Sequence, residues 1–208
     1  NFFNLNAYDA VLMNVNFGDL SINFINYLPP DSTMDAATAD FDNDGDQDVV
    51  VGNSLISIPN QCGEPDVLYL NDGSGNFQQG FSFSDNDVAN DIEVGDINGD
   101  GLVDVILANN NQYGLCSTSN DILRIYINQG LTGGSISFID VTTTNLPGSI
   151  YAANVDLADF DNDGDLDIVT TTINAAPPYP TIPMCGGVNL YLNNGVGIFT
   201  HSPGAVPT

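Results

Sequence analysis

Along this chain, apolar residues gather in short runs rich in β-branched and aromatic side chains, each closed by Gly, Asn or Asp. That punctuation is the signature of strands. No stretch carries the apolar spacing of a helix. Three runs are alike: "DVVVG" from Asp48, "DVILA" from Asp104 and "DIVTT" from Asp167. Each leaves a turn crowded with Asp, and another strand-like segment leads into that turn, as in "DIEVGDI" (91–97). A third run follows in each case: "VLYLN", "LRIYIN" or "VNLYLN". Then come a turn with Asn and Gly and a fourth run, such as "FQQGFSFS" (77–84) or "ISFIDVT" (136–142). Four strands per unit, with no helix between them, predict an all-β chain of β-propeller blades, each of four antiparallel strands.

Self-comparison fixes the unit. "ADFDNDGDQDVVVGN" (39–53), "GDINGDGLVDVILAN" (95–109) and "ADFDNDGDLDIVTTT" (158–172) align, and their first aspartates, Asp40, Asp96 and Asp159, lie 56 and 63 residues apart. Tyr69, Tyr126 and Tyr191 follow those aspartates by 29, 30 and 32 residues. The spacing predicts blades over 31–85 with loop 40–48, over 86–145 with loop 96–104, and over 146–208 with loop 159–167 and a C-terminal tail. Residues 1–30 read as the outer strands of a partial blade, because "AVLMNVNFGDLSINFINY" (10–27) resembles a third and fourth strand with no acidic turn before it. Three full blades and a partial one fall short of the four to eight that close a ring. The chain does not begin with Met, and a mature or excised segment of a longer product is the expectation.

Charge changes this picture. The 208 residues carry 27 Asp+Glu against a single Lys or Arg, a formal net charge of −26. All but Glu64 and Glu93 of the acids are Asp, a turn and metal residue, so the acidity concentrates in loops. Apolar residues still make up 42%, enough for a core. Such a field repels nucleic acid and anionic lipid and attracts cations. No apolar run has the length of a membrane span, so membrane insertion is not expected.

The acidic turns follow the pattern D-x-[DN]-x-D-G-x-x-D. Side-chain oxygens fall at positions 1, 3, 5 and 9: Asp40, Asp42, Asp44 and Asp48; Asp96, Asn98, Asp100 and Asp104; Asp159, Asp161, Asp163 and Asp167. Gly45, Gly101 and Gly164 at position 6 allow the chain to bend around an ion. The position 7 residue (Asp46, Leu102, Asp165) is expected to offer its carbonyl, and the ninth Asp both of its oxygens. Six or seven hard oxygens in a flexible loop suit Ca²⁺, and three such sites are predicted. Position 12 is Val51, Leu107 or Thr170, followed by strand, which excludes an EF-hand. Two carboxylates about 5 Å apart repel by roughly 1–3 kcal/mol at effective dielectrics of 80 to 20. Cation binding reverses that sign.

At these residues the chain resembles the FG-GAP/VCBS repeat family, the β-propeller units also found in integrin α subunits; "DFDNDGDLDIV" is its most specific stretch. The resemblance runs over about 30–200 and implies calcium-binding blades, secretion or surface display, and adhesion or carbohydrate binding. The leading expectation is therefore a calcium-stabilised extracellular binding or adhesion module with a protein or carbohydrate ligand. The alternative is a structural subunit that assembles into a filament or surface layer, through further blades of a longer chain or other copies of itself. Unpaired strand edges would invite that association. A non-catalytic part of a secreted polysaccharide-active enzyme is the third reading.

Catalysis is not expected of the chain itself. It has no Lys, one Arg and one His, which leaves little for bases or oxyanion donors. Cys62, Cys116 and Cys185 occupy the same loop of each unit. Free thiols, one internal pair and bonds to other chains all remain open readings. Asp35, Asp91 and Asn154 sit five residues before the first loop aspartates, and Glu93 and Asp156 three before. They read as groups supporting the metal ligands from behind, as channel-lining groups, or as a polar strand face.

Overall fold

A computed structural model describes residues 33–53, 65–83, 89–109, 123–148, 152–171 and 187–203 in full, and the backbone of strands β1 (Ala10–Asn16) and β2 (Asp19–Phe24). The three cysteines lie outside the described residues.

The described chain is all-β, with three four-stranded antiparallel sheets in which strands pair in chain order. Repeat 1 holds β3 (Thr33–Ala39), β4 (Asp48–Asn53), β5 (Val67–Asn71) and β6 (Phe77–Ser82). Repeat 2 holds β7 (Ala89–Gly95), β8 (Asp104–Asn109), β9 (Leu123–Thr132) and β10 (Ser135–Asp140). Repeat 3 holds β11 (Asn154–Ala158), β12 (Asp167–Thr171), β13 (Val188–Asn193) and β14 (Phe199–His201). β1 and β2 pair antiparallel in a two-stranded sheet. The single described helix, α1 (Thr142–Asn145), is four residues long, too short to leave a periodic trace in sequence.

The continuous apolar runs have a packing reason. A strand covered on both faces does not alternate. All six residues of β8 are buried, Val105 and Leu107 against repeat 1 and Ile106 and Ala108 against repeat 3. Two clusters therefore join the sheets. Phe41, Val50, Leu68 and Phe83 of repeat 1 meet Tyr126, Ile136 and Phe138 of repeat 2. Phe83 meets Tyr126 edge to face and Phe138 at a tilt, with ring centroids 4.9 and 5.3 Å apart. Across the next junction Ile97 and Ile125 meet Val155, Ile168 and Tyr191. The first strands β3 and β11 both pack beside β7, and Asn128 bonds to Phe41 of loop 1 (2.9 Å) as Asn193 does to Ile97 of loop 2 (2.7 Å), so neighbouring acidic turns lie at the same end of the sheets.

Candidate metal centre

Each acidic turn joins the first and second strands of its sheet and is folded by its own carboxylates. In loop 1, Asp40 accepts the Asp44 N–H (3.0 Å) and the Gly45 N–H (3.0 Å), Asp42 accepts the Asp44 N–H (3.2 Å), and Asp44 accepts the Asp46 N–H (3.0 Å). Loop 2 repeats the set: Asp96 takes the N–H groups of Asp100 (3.1 Å) and Gly101 (2.8 Å), Asn98 that of Asp100 (3.0 Å), and Asp100 that of Leu102 (2.9 Å). In loop 3 Asp159, Asp161 and Asp163 do the same for Asp163, Gly164 and Asp165. Two left-handed residues make this wrap. One is Gly45, Gly101 or Gly164, with φ of +98°, +85° and +100°. The other is position 4: Asn43 (φ +59°), Gly99 (+76°) and Asn162 (+63°). Asn and Gly are the residues that tolerate this region, a signal present in the sequence and not used there.

The ninth Asp is a clamp between strands. Asp48, Asp104 and Asp167 are all 0% exposed. One oxygen accepts the position 2 N–H, from Phe41 (2.9 Å), Ile97 (3.0 Å) or Phe160 (2.9 Å). The other accepts the N–H of the Asn that ends the third strand, Asn71 (2.9 Å), Asn128 (2.8 Å) or Asn193 (2.8 Å). Each oxygen keeps a second lone pair for the loop side. The side chains of these Asn residues then fold the second turn: Asn71 accepts from Gly73 (3.2 Å) and Gly75 (3.0 Å), and Asn193 from Gly195 (3.2 Å) and Gly197 (3.0 Å). The Asn is visible in "YLN" and "YIN", yet its role is not, because it acts across strands.

Oxygens of Asp40, Asp42 and Asp48 lie within 4.8 Å of one another, as do those of Asp159, Asp161 and Asp167. In loop 2 an amide replaces the third carboxylate, and the Asn98 Nδ2–H donates to Asp100 at 2.9 Å. At position 7 the side chains turn away from this group: Asp46 and Asp165 lie against Gly73 and Gly195, and Leu102 against Gly130. Crowding shows in the proton affinities. Burial, and then the Asp44 and Asp40 charges, push Asp42 above the usual carboxylate range. Asp48 is raised by burial, with Asp42 and Asp44 adding to it. Burial pushes Asp104 up to about 7, with smaller contributions from Asp100 and Asp96, against two N–H bonds that oppose the rise. Asp161 and Asp165 are raised by partial desolvation, then by Asp163. An all-oxygen donor set with several acids held near one point fits a hard divalent cation.

The acids before the loops have a different place. Asp35 accepts the Ile92 N–H of the next repeat (2.9 Å), and Asp91 the Val155 N–H (2.8 Å). They are ties between sheets. Glu93 is raised by burial, then by Asp156, Asp91 and Asp35. Arg124 pairs with Asp140 at 3.3 Å, and His201 stacks on Tyr191 at 5.1 Å.

Three sheets of one pattern, each opened by the same acidic turn and tied to the next by side-chain bonds, define a tandem repeat protein whose unit runs from loop to loop. The FG-GAP-like repeat matches residues 40–107 and, overlapping, 96–170, each match starting at the first aspartate of one loop and reaching the strand after the next. The chain belongs to that family. No curated protein matches it.

Proposed function

We propose that each loop binds one Ca²⁺ and that the chain is a calcium-stabilised part of a β-propeller, acting outside the cell as a binding or adhesion module. The observation that carries this reading is the threefold recurrence of one cradle. The same backbone bonds hold the oxygens of positions 1, 3 and 5 in all three loops. Stacked sheets joined through both faces of β8 are the arrangement that propeller blades require. The ions are structural, holding the turn between two strands. The ligand is a protein or a carbohydrate met by loops on the repeat surface. No catalytic role is included: the one Arg is held by Asp140 and the one His by Tyr191. Titration calorimetry at pH 7.4 should find three Ca²⁺ per chain, with EDTA lowering Tm. Absence of heat together with an unchanged Tm would overturn the calcium reading. Screening of glycans and extracellular proteins, with and without chelator, then tests the ligand half. Binding that survives chelation would separate the ligand from the ions.

A further inference from the structure

Neighbouring acidic loops share a side chain. The Asn128 Nδ2 group gives one proton to each of two loops: to the Phe41 carbonyl at position 2 of loop 1 (2.9 Å) and to the Val103 carbonyl at position 8 of loop 2 (3.0 Å). Asn193 does the same between loops 2 and 3, bonding the Ile97 (2.7 Å) and Leu166 (2.9 Å) carbonyls. Both residues are shut away from water, Asn128 at 0% and Asn193 at 6% exposed.

Each bridge ends on a ninth Asp at both sides. Phe41, whose carbonyl takes the Asn128 proton, gives its N–H to Asp48 (2.9 Å), and Asn128 gives its own N–H to Asp104 (2.8 Å). Asp104 also accepts the Ile97 N–H (3.0 Å); the Ile97 carbonyl takes the Asn193 proton, and the Asn193 N–H reaches Asp167 (2.8 Å). Covalent and hydrogen bonds thus alternate without a break from Asp48 through Asp104 to Asp167. The second junction has further ties. Asn90 donates to the Ala153 carbonyl (2.7 Å) and Asn145 to the Gly197 carbonyl (2.9 Å). A Cβ on Gly99 of loop 2 would stand 3.4 Å from the Gly195 carbonyl, and one on Gly195 would press on Asp165 of loop 3, so the second turn of repeat 3 sits between two acidic loops. At the first junction, among the described residues, Asn128 makes the hydrogen bond that joins loop 1 to repeat 2.

We propose that Asn128 and Asn193 couple the loops, so that a cation in one loop raises the affinity of its neighbour for a second cation. This rests on the reading of the loops as calcium sites. The physical reason is burial. A loop without its cation is pushed open by its own carboxylates. Opening that moves the position 2 carbonyl strips the partner from an amide proton that water does not reach. The cost falls on the strand end that holds the neighbouring ninth Asp. A cation that closes loop 1 fixes the Phe41 carbonyl, and with it the Asn128 amide and the Asp104 carboxylate of loop 2. Such coupling is reciprocal, so filling loop 2 tightens loop 1 by the same factor. Repulsion between the cations has the opposite sign, and at about 0.15 M salt it is screened beyond about 8 Å. Asn128 and Asn193 are positioning residues and not ligands.

Calcium added to the 208-residue chain can be followed loop by loop by NMR, because Asp40 and Asp96 hold the Gly45 (3.0 Å) and Gly101 (2.8 Å) N–H groups. Asp42→Asn with Asp44→Asn disables loop 1. It keeps the side-chain oxygens that accept the Asp44 and Asp46 N–H groups, and it removes two negative charges where a bound cation would add two positive ones. Loop 2 then meets the same net charge as beside a filled loop 1, so the field drops out of the comparison. The Gly101 midpoint should move to at least about fivefold higher calcium. In Asn128→Ala the shift should vanish, the Gly101 midpoint being the same with loop 1 intact or disabled. Asn71→Ala, which loses the Nδ2 bond to Gln47 within its own loop, should keep the shift. A Gly101 midpoint indifferent to loop 1, with both glycines responding to calcium in the wild type, would overturn the coupling and leave the calcium reading standing. So would a shift that survives Asn128→Ala, which assigns the coupling to packing. Glycines that never respond would remove the calcium reading itself, and the coupling with it. The first comparison needs no change at Asn128, so it decides the matter even if Asn128→Ala does not fold.

Discussion

Asp48, Asp104 and Asp167 are wholly buried, while every other acid of the loops keeps some contact with water. A buried carboxylate survives only if its lone pairs are used. Here two backbone N–H groups, one from the loop and one from the end of the third strand, use them. Asp48→Ala would leave the Phe41 and Asn71 N–H groups without acceptors and should cost about 2–4 kcal/mol in chemical denaturation, measured in EDTA so that ion loss does not enter. The same burial sets the pH response. Asp104 has a folded pKa of about 7 against an ordinary value of 3.8. The folded state therefore holds the extra proton, and the stability this gives is full below 3.8 and lost as pH rises through about 7. Asp42, Asp48, Asp91 and Glu93 are shifted in the same direction. In EDTA, thermal melting should give a higher Tm at pH 4.5 than at pH 7.5. In saturating calcium the order should reverse, because protons then compete with the ion for the same oxygens.

At the scale of the element, the two turns of each sheet are fitted to one another. Gly195 has φ +80°, and a Cβ there would press on the Asp165 carboxylate. Gly195→Ala should destabilise repeat 3 by about 1–3 kcal/mol, by backbone strain and by displacing Asp165. Adding Asp165→Ala should recover the second part, a coupling that a double-mutant cycle reads directly. The Asn that closes the third strand carries more load where it also reaches the preceding loop. Asn128→Ala loses Nδ2 bonds to Phe41 and Val103; Asn71→Ala loses one, to Gln47. Each variant also loses Oδ1 bonds, from Gly130 in one case and from Gly73 and Gly75 in the other, so both lose three in all. Asn128→Ala should still be the costlier by about 1 kcal/mol in a denaturation series, because Asn128 is wholly buried while Asn71 is partly exposed. Little of this fitting is legible in "LYLNDGSG" or "LYLNNGVG". The strings announce a turn, while the clamp depends on a loop 23 to 26 residues earlier in sequence.

For the molecule as a whole, the acids that fold the loops also oppose the fold when no cation is present. With free calcium at about ten to a hundred times Kd, each site would add roughly 1.4–2.7 kcal/mol. Three sites then supply a sizeable part of a typical stability of about 5–15 kcal/mol. Calorimetric scans should show Tm falling on chelation and returning with calcium. Magnesium should restore less, because it demands octahedral geometry that a flexible Asp loop does not impose. Loop 2, with Asn98 in place of a third carboxylate, should fill last in the titration.

Local chemistry was decided by the sequence. Alternating Asp with Gly at position 6 dictates a tight oxygen-rich turn, and the β-branched run after it dictates a strand, since both follow from interactions within about ten residues. The repeat made the same reading possible three times over, and the four-strand order of each sheet followed from it. Tertiary structure alone decided which oxygens face the loop and which face backbone. It turned Asp35 and Asp91 from a polar strand face into ties between sheets, 57 and 64 residues from their partners. It also left Phe160 in water where Phe41 and Ile97 are covered. Those outcomes depend on what lies across a junction, and a side chain's neighbours across a junction are set by packing rather than by its place in the string.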